Sequence, residues 1–112
     1  MESRLFIVIL IFLFSCNGPE VKRDRFFNKG NDFLGKNELD NALKQYEEAL
    51  RIDPGYSKAW NNKGIVYHKK DKYYDAVVAF DIAIQNEPNL TEAYYNRAQS
   101  YVYLGEYART GY

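Results

Sequence analysis

The chain has 112 residues, a length that suits one small domain and excludes a multidomain enzyme. Lys plus Arg and Asp plus Glu both number 15, so no charge excess recruits nucleic acid or an anionic surface. One Cys excludes an internal disulfide framework, and one His leaves little for metal or acid–base chemistry. Catalytic, metal and cofactor sites are therefore expected to be absent. A hydrophobic fraction of 46% with only 3 Pro argues for a folded, helical chain.

The N-terminus differs in character from the rest of the chain. Arg4 precedes ten consecutive large apolar residues, 5–14. As a helix these rise about 15 Å, half of the roughly 30 Å of bilayer hydrocarbon, so the run matches the apolar region of a signal peptide. Leu13-Phe14-Ser15-Cys16 then resembles the lipobox of bacterial lipoproteins, with an aliphatic residue three before the Cys and a small one just before it. The resemblance implies a signal peptide over 1–15 and acylation of Cys16, the only thiol of the chain. It also implies a lipid-anchored protein of the bacterial envelope; ordinary cleavage and secretion is the alternative. Residues 16–22 read as a polar tether broken by Gly18-Pro19.

From residue 23 the chain repeats itself at a step of 34. The step aligns Phe26, Trp60 and Tyr94; Asn28, Asn62 and Asn96; Gly30, Gly64 and Ala98; and Phe33, Tyr67 and Tyr101. It also aligns Ala42 with Ala76, Tyr46 with Phe80, Ala49 with Ala83, and Pro54 with Pro88. Within a repeat, Leu39, Ala42, Leu43, Tyr46, Ala49 and Leu50 fall at helical spacing. Gly30 and Gly64 are small where paired helices must approach, and Pro54 and Pro88 stop the second helix of each pair. The pattern predicts helices over 22–36, 39–52, 57–70, 73–86 and 91–104. Tyr67 and Tyr101 are expected in the core.

These spacings resemble the tetratricopeptide repeat, through Trp60-x-x-Lys63-Gly64-x-x-Tyr67, Ala76-x-x-x-Phe80 and Pro88. The resemblance implies an all-α, α-α superhelix of antiparallel helix pairs over 23–112. Its repeats run about 23–56, 57–90 and an incomplete 91–112, whose second helix would begin near Tyr107. In the resembled family the first helix of each pair lines a concave groove that holds a protein or peptide. Carried over step by step, the groove here would present Asp24, Phe27, Asn31, Leu34 and Gly35. The second repeat would add Lys58, Asn61, Ile65, His68 and Lys69. The third would add Glu92, Tyr95, Gln99, Val102 and Tyr103, with Asn62 and Asn96 on the border. Phe27, Ile65 and Tyr95 are expected to receive apolar side chains, and Asn31 and Asn61 to bond peptide backbone.

Family members that clamp acidic chaperone tails use Lys, Arg and Asn. Asn31 and Asn62 match that pattern, but Phe27 and Glu92 stand where clamp lysines would be, so a chaperone clamp is not expected. The sequence thus predicts a non-enzymatic, membrane-anchored interaction module binding an unidentified protein or peptide. The alternative is a fragment of a longer repeat lipoprotein with no complete groove. Tyr94, Ala98 and Tyr101, lacking a second helix to cover them, are expected to fray or to support self-association.

Overall fold

A computed structural model describes residues 18–110, with side chains described as far as Glu106. The leader 1–15, Cys16 and Tyr112 lie outside the described residues, as do the side chains of Tyr107 and Thr110. Five helices follow one another: α1 (Pro19–Gly35), α2 (Leu39–Ile52), α3 (Ser57–Lys69), α4 (Tyr73–Asn86) and α5 (Thr91–Thr110). The described residues hold no strand. Helix α1 packs on α2, and α3 on α4; α2 also meets α3, and α5 lies against α4 and α3. No described helix is long and apolar enough to cross a membrane.

Helix α1 starts earlier than the sequence predicts. Residues 19–22 of the expected tether are its first turn, with Pro19 at the helix start and Glu20 in that turn. Proline fits there because the first helical N–H has no intrahelical partner, and an acidic group favours the helix N-terminus.

The turn inside each pair is a Schellman motif. Glu38 N–H donates to Phe33 C=O at 2.9 Å and Asn37 N–H to Leu34 C=O at 3.0 Å. One repeat later Lys72 N–H donates to Tyr67 C=O at 2.9 Å and Asp71 N–H to His68 C=O at 3.0 Å. The pivots Asn37 and Asp71 have φ of 59° and 61°, the left-handed region that Asn and Asp tolerate best after Gly. Between pairs, Pro54 and Pro88 lie just past the ends of α2 and α4. Their carbonyls are used again: Trp60 Nε1–H donates to Pro54 C=O at 2.7 Å, and Tyr94 O–H to Pro88 C=O at 2.9 Å. Residues 60 and 94 are one repeat apart, so the same loop is pinned twice.

The core is made of the small and aromatic residues that the repeat aligns. Ala42, Tyr46, Ala49, Ala76, Phe80 and Ala83 are fully buried. Each ring lies against a glycine of the preceding helix. A Cβ on Gly30 would fall 2.6 Å from Tyr46 Cε1, and one on Gly64 would fall 2.4 Å from Phe80 Cε1. The glycines are thus required by the rings. Full burial of each ring adds roughly 1.5–3 kcal/mol.

The third repeat departs from the first two. The chain does not turn near residue 105; α5 continues as one helix to Thr110, beyond the predicted end at 104. Tyr101, expected in the core, is 52% exposed and Tyr94 41% exposed. Both lie on the side of α5 that a second helix would cover in a complete repeat, and among the described residues nothing covers it. Ala93 and Ser100, about a quarter turn round the helix, are fully buried. Arg97 ties α5 to α4 through Asp81 at 2.7 Å, a partly exposed pair contributing about 0–1 kcal/mol.

Candidate protein-binding groove

The first helices of the three repeats, α1, α3 and α5, are joined by side-chain amides. Asn96 Nδ2 donates to Asn61 Oδ1 at 3.2 Å, and Asn61 Nδ2 to Asn62 Oδ1 at 3.3 Å. Asn62 Nδ2 then donates to Asn31 Oδ1 at 2.8 Å, which also accepts Tyr46 O–H at 2.6 Å. Four amides on three helices therefore form one directional ladder. Among the described residues it leaves Asn31 Nδ2 and Asn96 Oδ1 without a partner, so a donor remains at one end and an acceptor at the other.

The ladder explains residues that the repeat pattern alone places differently. Asn61, expected at the groove surface and away from packing, is only 2% exposed. Its two polar ends are satisfied within the protein, which is what makes burial of an amide tolerable. Asn62, expected at the border, is the link between α1 and α3. Burial pushes the Tyr46 hydroxyl up to about 12, against a small opposing effect of its bond with Asn62. The hydroxyl therefore stays protonated and donating at neutral pH.

Phe27 is also used by the core. It is half-buried, with its ring 5.9 Å from Tyr46 and 5.2 Å from Tyr56, and it packs against two core clusters that reach into α3 through Val66 and Ala59. It is not an open receptor for an apolar side chain. Tyr56 is in turn capped by the Arg23 guanidinium, 4.3 Å above its ring, an arrangement of about 0.5–1 kcal/mol.

Leu34, also expected to line the groove, packs against the Ala42, Tyr46 and Val66 cluster, whereas other expected positions are accessible. Lys58, Lys69, Glu92, Tyr95, Gln99, Val102 and Tyr103 are exposed, and Ile65, His68 and Asn96 half-buried. Tyr95 is 64% exposed, and its oxygen accepts Gln99 Nε2–H at 2.8 Å. Ile65, His68, Lys69, Phe80, Asn96 and Gln99 line one pocket of about 260 Å³ between α3, α4 and α5.

His68 is more deeply built in than a groove-lining histidine needs to be. Its Nδ1 lies 2.9 Å from Ser100 Oγ, and Ser100 is fully buried. Its ring edges meet Tyr73 at 5.0 Å and Tyr103 at 5.2 Å, and those two rings stack at 4.9 Å. Burial lowers the His68 pKa, Asp71 opposes that shift, and Lys69 adds to it. The ring is therefore neutral at pH 7 and serves as a wedge between α3 and α5. Sequence reasoning missed Tyr73 and Ser100 as its partners, because neither belongs to the first-helix steps that define the groove. Among the described residues no group of three or more His, Cys, Asp or Glu is placed to hold a metal ion.

Comparison with known proteins agrees with this architecture. A TPR repeat family pattern matches residues 30–71, and the tetratricopeptide repeat pattern matches residues 57–90. Human protein O-mannosyl-transferase TMTC1 is 37% identical over 71 residues, 63% of this chain but 8% of that protein. The chloroplastic tetratricopeptide repeat protein PYG7 of Arabidopsis thaliana is 37% identical over 60 residues, 54% of this chain and 20% of that one. The chain thus spans only a small part of these curated relatives. Among solved structures, the TPR2B domain of yeast Sti1 in its pHsp70 complex superposes with a TM-score of 0.74. It is 25% identical and covers 80% of this chain and 71% of that one. The crystal structure of MamA superposes with a TM-score of 0.72 at 20% identity, covering 75% of this chain and 49% of that one. Helix pairs closed by one recurring turn, a glycine under each ring and these matches lead to one assignment: the chain carries tandem tetratricopeptide repeats in an all-α TPR superhelix.

Proposed function

We propose that the chain is a protein-interaction module that holds an extended segment of a partner along α1, α3 and α5. The observation that carries this is the amide ladder. An extended peptide offers alternating N–H and C=O groups. The ladder offers a donor at Asn31 and an acceptor at Asn96, with their positions fixed by bonds through Asn61 and Asn62. Fixed polar groups bind with little ordering cost. The exposed Tyr95 adds rigid, amphipathic contact area beside them. The yeast Sti1 neighbour, solved as a pHsp70 complex, supports reading this fold as one that holds a protein partner. The carboxylate-holding lysines are missing here, since Phe27 is packed inward and Glu92 is exposed, so the partner differs from an acidic chaperone tail. Affinity capture of the full-length protein from its own membranes identifies the partner. Asn31→Ala/Tyr95→Ala should then weaken binding at unchanged helix content. Undiminished affinity in that variant would place the surface elsewhere.

Anchoring through Cys16 in a bacterial envelope is part of the same proposal and rests on the sequence 13–16 alone. A lipid there would keep the groove close to the membrane surface. Metabolic labelling with a fatty acid should mark the wild type and not Cys16→Ala. Equal labelling of both would dismiss the anchor and leave the groove untouched.

A further inference from the structure

The pocket between α3, α4 and α5 carries a more specific inference, which rests on the groove described above. Its volume of about 260 Å³ lies below the roughly 300 Å³ at which sites for free small molecules begin. It therefore suits one side chain of a longer ligand. Ile65 and the fully buried Phe80 supply an apolar lining, and the two amides Asn96 and Gln99 border it. Both amides already donate within the protein, Asn96 Nδ2 to Asn61 and Gln99 Nε2 to the Tyr95 oxygen. Their carbonyl oxygens have no partner among the described residues. Lys69, also bordering the pocket, forms no ion pair among the described residues, whereas Lys63, Lys70 and Arg97 each do.

These groups select a ligand by its chemistry. A purely aliphatic side chain would cover the two carbonyl oxygens without bonding them, which is costly. A carboxylate could reach the Lys69 ammonium, but it would be repelled by the two carbonyl oxygens and leave the apolar lining uncovered. A lysine or arginine would satisfy the acceptors but meet Lys69. An aromatic ring with a donor at its edge fits all three: an apolar body, an O–H or N–H for a carbonyl, and a face for the Lys69 ammonium. We propose that this pocket takes a tyrosine or tryptophan side chain of the bound segment, its ring on Ile65, with Phe80 behind the wall, and its donor on Asn96 or Gln99. The pocket needs no free carboxyl terminus, so an internal segment with an aromatic anchor suffices.

The test uses the isotope-labelled full chain and two probes, N-acetyltyrosinamide and N-acetylphenylalaninamide, followed by NMR. The tyrosine probe should shift the Ile65, His68, Asn96 and Gln99 signals and bind roughly 2–10-fold tighter than the phenylalanine probe, the range of one hydrogen bond. Gln99→Leu should reduce that preference. Equal affinities, or shifts confined to the exposed Tyr94 and Tyr101 face, would overturn the anchor. Such a failure is distinct from failure of the groove, because the Asn31/Tyr95 variant reads the groove against the captured partner without these probes.

Discussion

Replacing Gly64 by Ala tests the contact on which each helix pair is built. The new methyl would lie 2.4, 2.7 and 2.8 Å from Cε1, Cδ1 and Cζ of Phe80. Carbon atoms settle at about 3.5–4.0 Å, so the ring must retreat by about 1 Å. Phe80 is fully buried, so its neighbours must move with it. Overpacking of this kind costs about 1–3 kcal/mol. Alanine in place of a helix-interior glycine returns about 0.8–1.0 kcal/mol of helix propensity, so the two effects oppose each other. Gly35 separates them, because a Cβ there meets nothing within 4 Å. Gly35→Ala should therefore be neutral or more stable than wild type, by up to about 1 kcal/mol. Gly64→Ala should fall below Gly35→Ala by about 1–3 kcal/mol, or roughly 4–8 °C in Tm for each kcal/mol in a domain of this size. Thermal and urea unfolding followed by circular dichroism reads both. Equal stabilities for the two variants would show that no ring lies over Gly64.

The ladder and the histidine wedge give two further expectations. Asn61→Ala removes a buried link and strands the amides on either side, so it should cost about 1–3 kcal/mol. A urea midpoint equal to wild type would mean that the ladder holds nothing together. His68 has a folded pKa below its ordinary 6.5, so the unfolded chain binds the proton more readily. Its contribution is then fully present above pH 6.5 and declines as the pH falls from there through the folded pKa. His68→Gln should show a shallower acid loss of stability than wild type over that range; parallel curves would refute the wedge.

Much of this fold is readable from residue spacing, and the exceptions have a common physical origin. Gly30, Gly64, Pro54 and Pro88 are legible because each acts on its own helix pair or its own turn. Asn61 and Phe27 are not, because their burial depends on a neighbouring repeat. Asn61 is bonded by Asn96 of the next repeat, and Phe27 packs on clusters that include Val66 and Ala59 of α3. Periodicity along one helix says which residues share a face. It does not say that a second helix has closed over that face. The exposure of Tyr101 is the reverse case: its repeat step is a core step only where a second helix is present.

Residue 105 shows how a strong local signal yields to the lack of such a helix. The turn pivots Asn37 and Asp71 stand 34 residues apart, and the next step of that register is Gly105, the residue best suited to positive φ. On local preference the third turn should be the easiest of the three. Yet α5 runs through it to Thr110. Reversing the chain gives up helical hydrogen bonds and is offset only when the returning helix packs. In the first two repeats that offset includes a ring placed over Gly30 or Gly64, closer than any Cβ would allow. The third repeat has Ala98 at this step, whose methyl occupies the space the ring would need. With no returning helix on the Tyr94 and Tyr101 face among the described residues, continuing the helix is the favoured outcome. A second helix docking on this face must therefore carry a residue smaller than Tyr46 or Phe80 opposite Ala98, or pack at a wider separation.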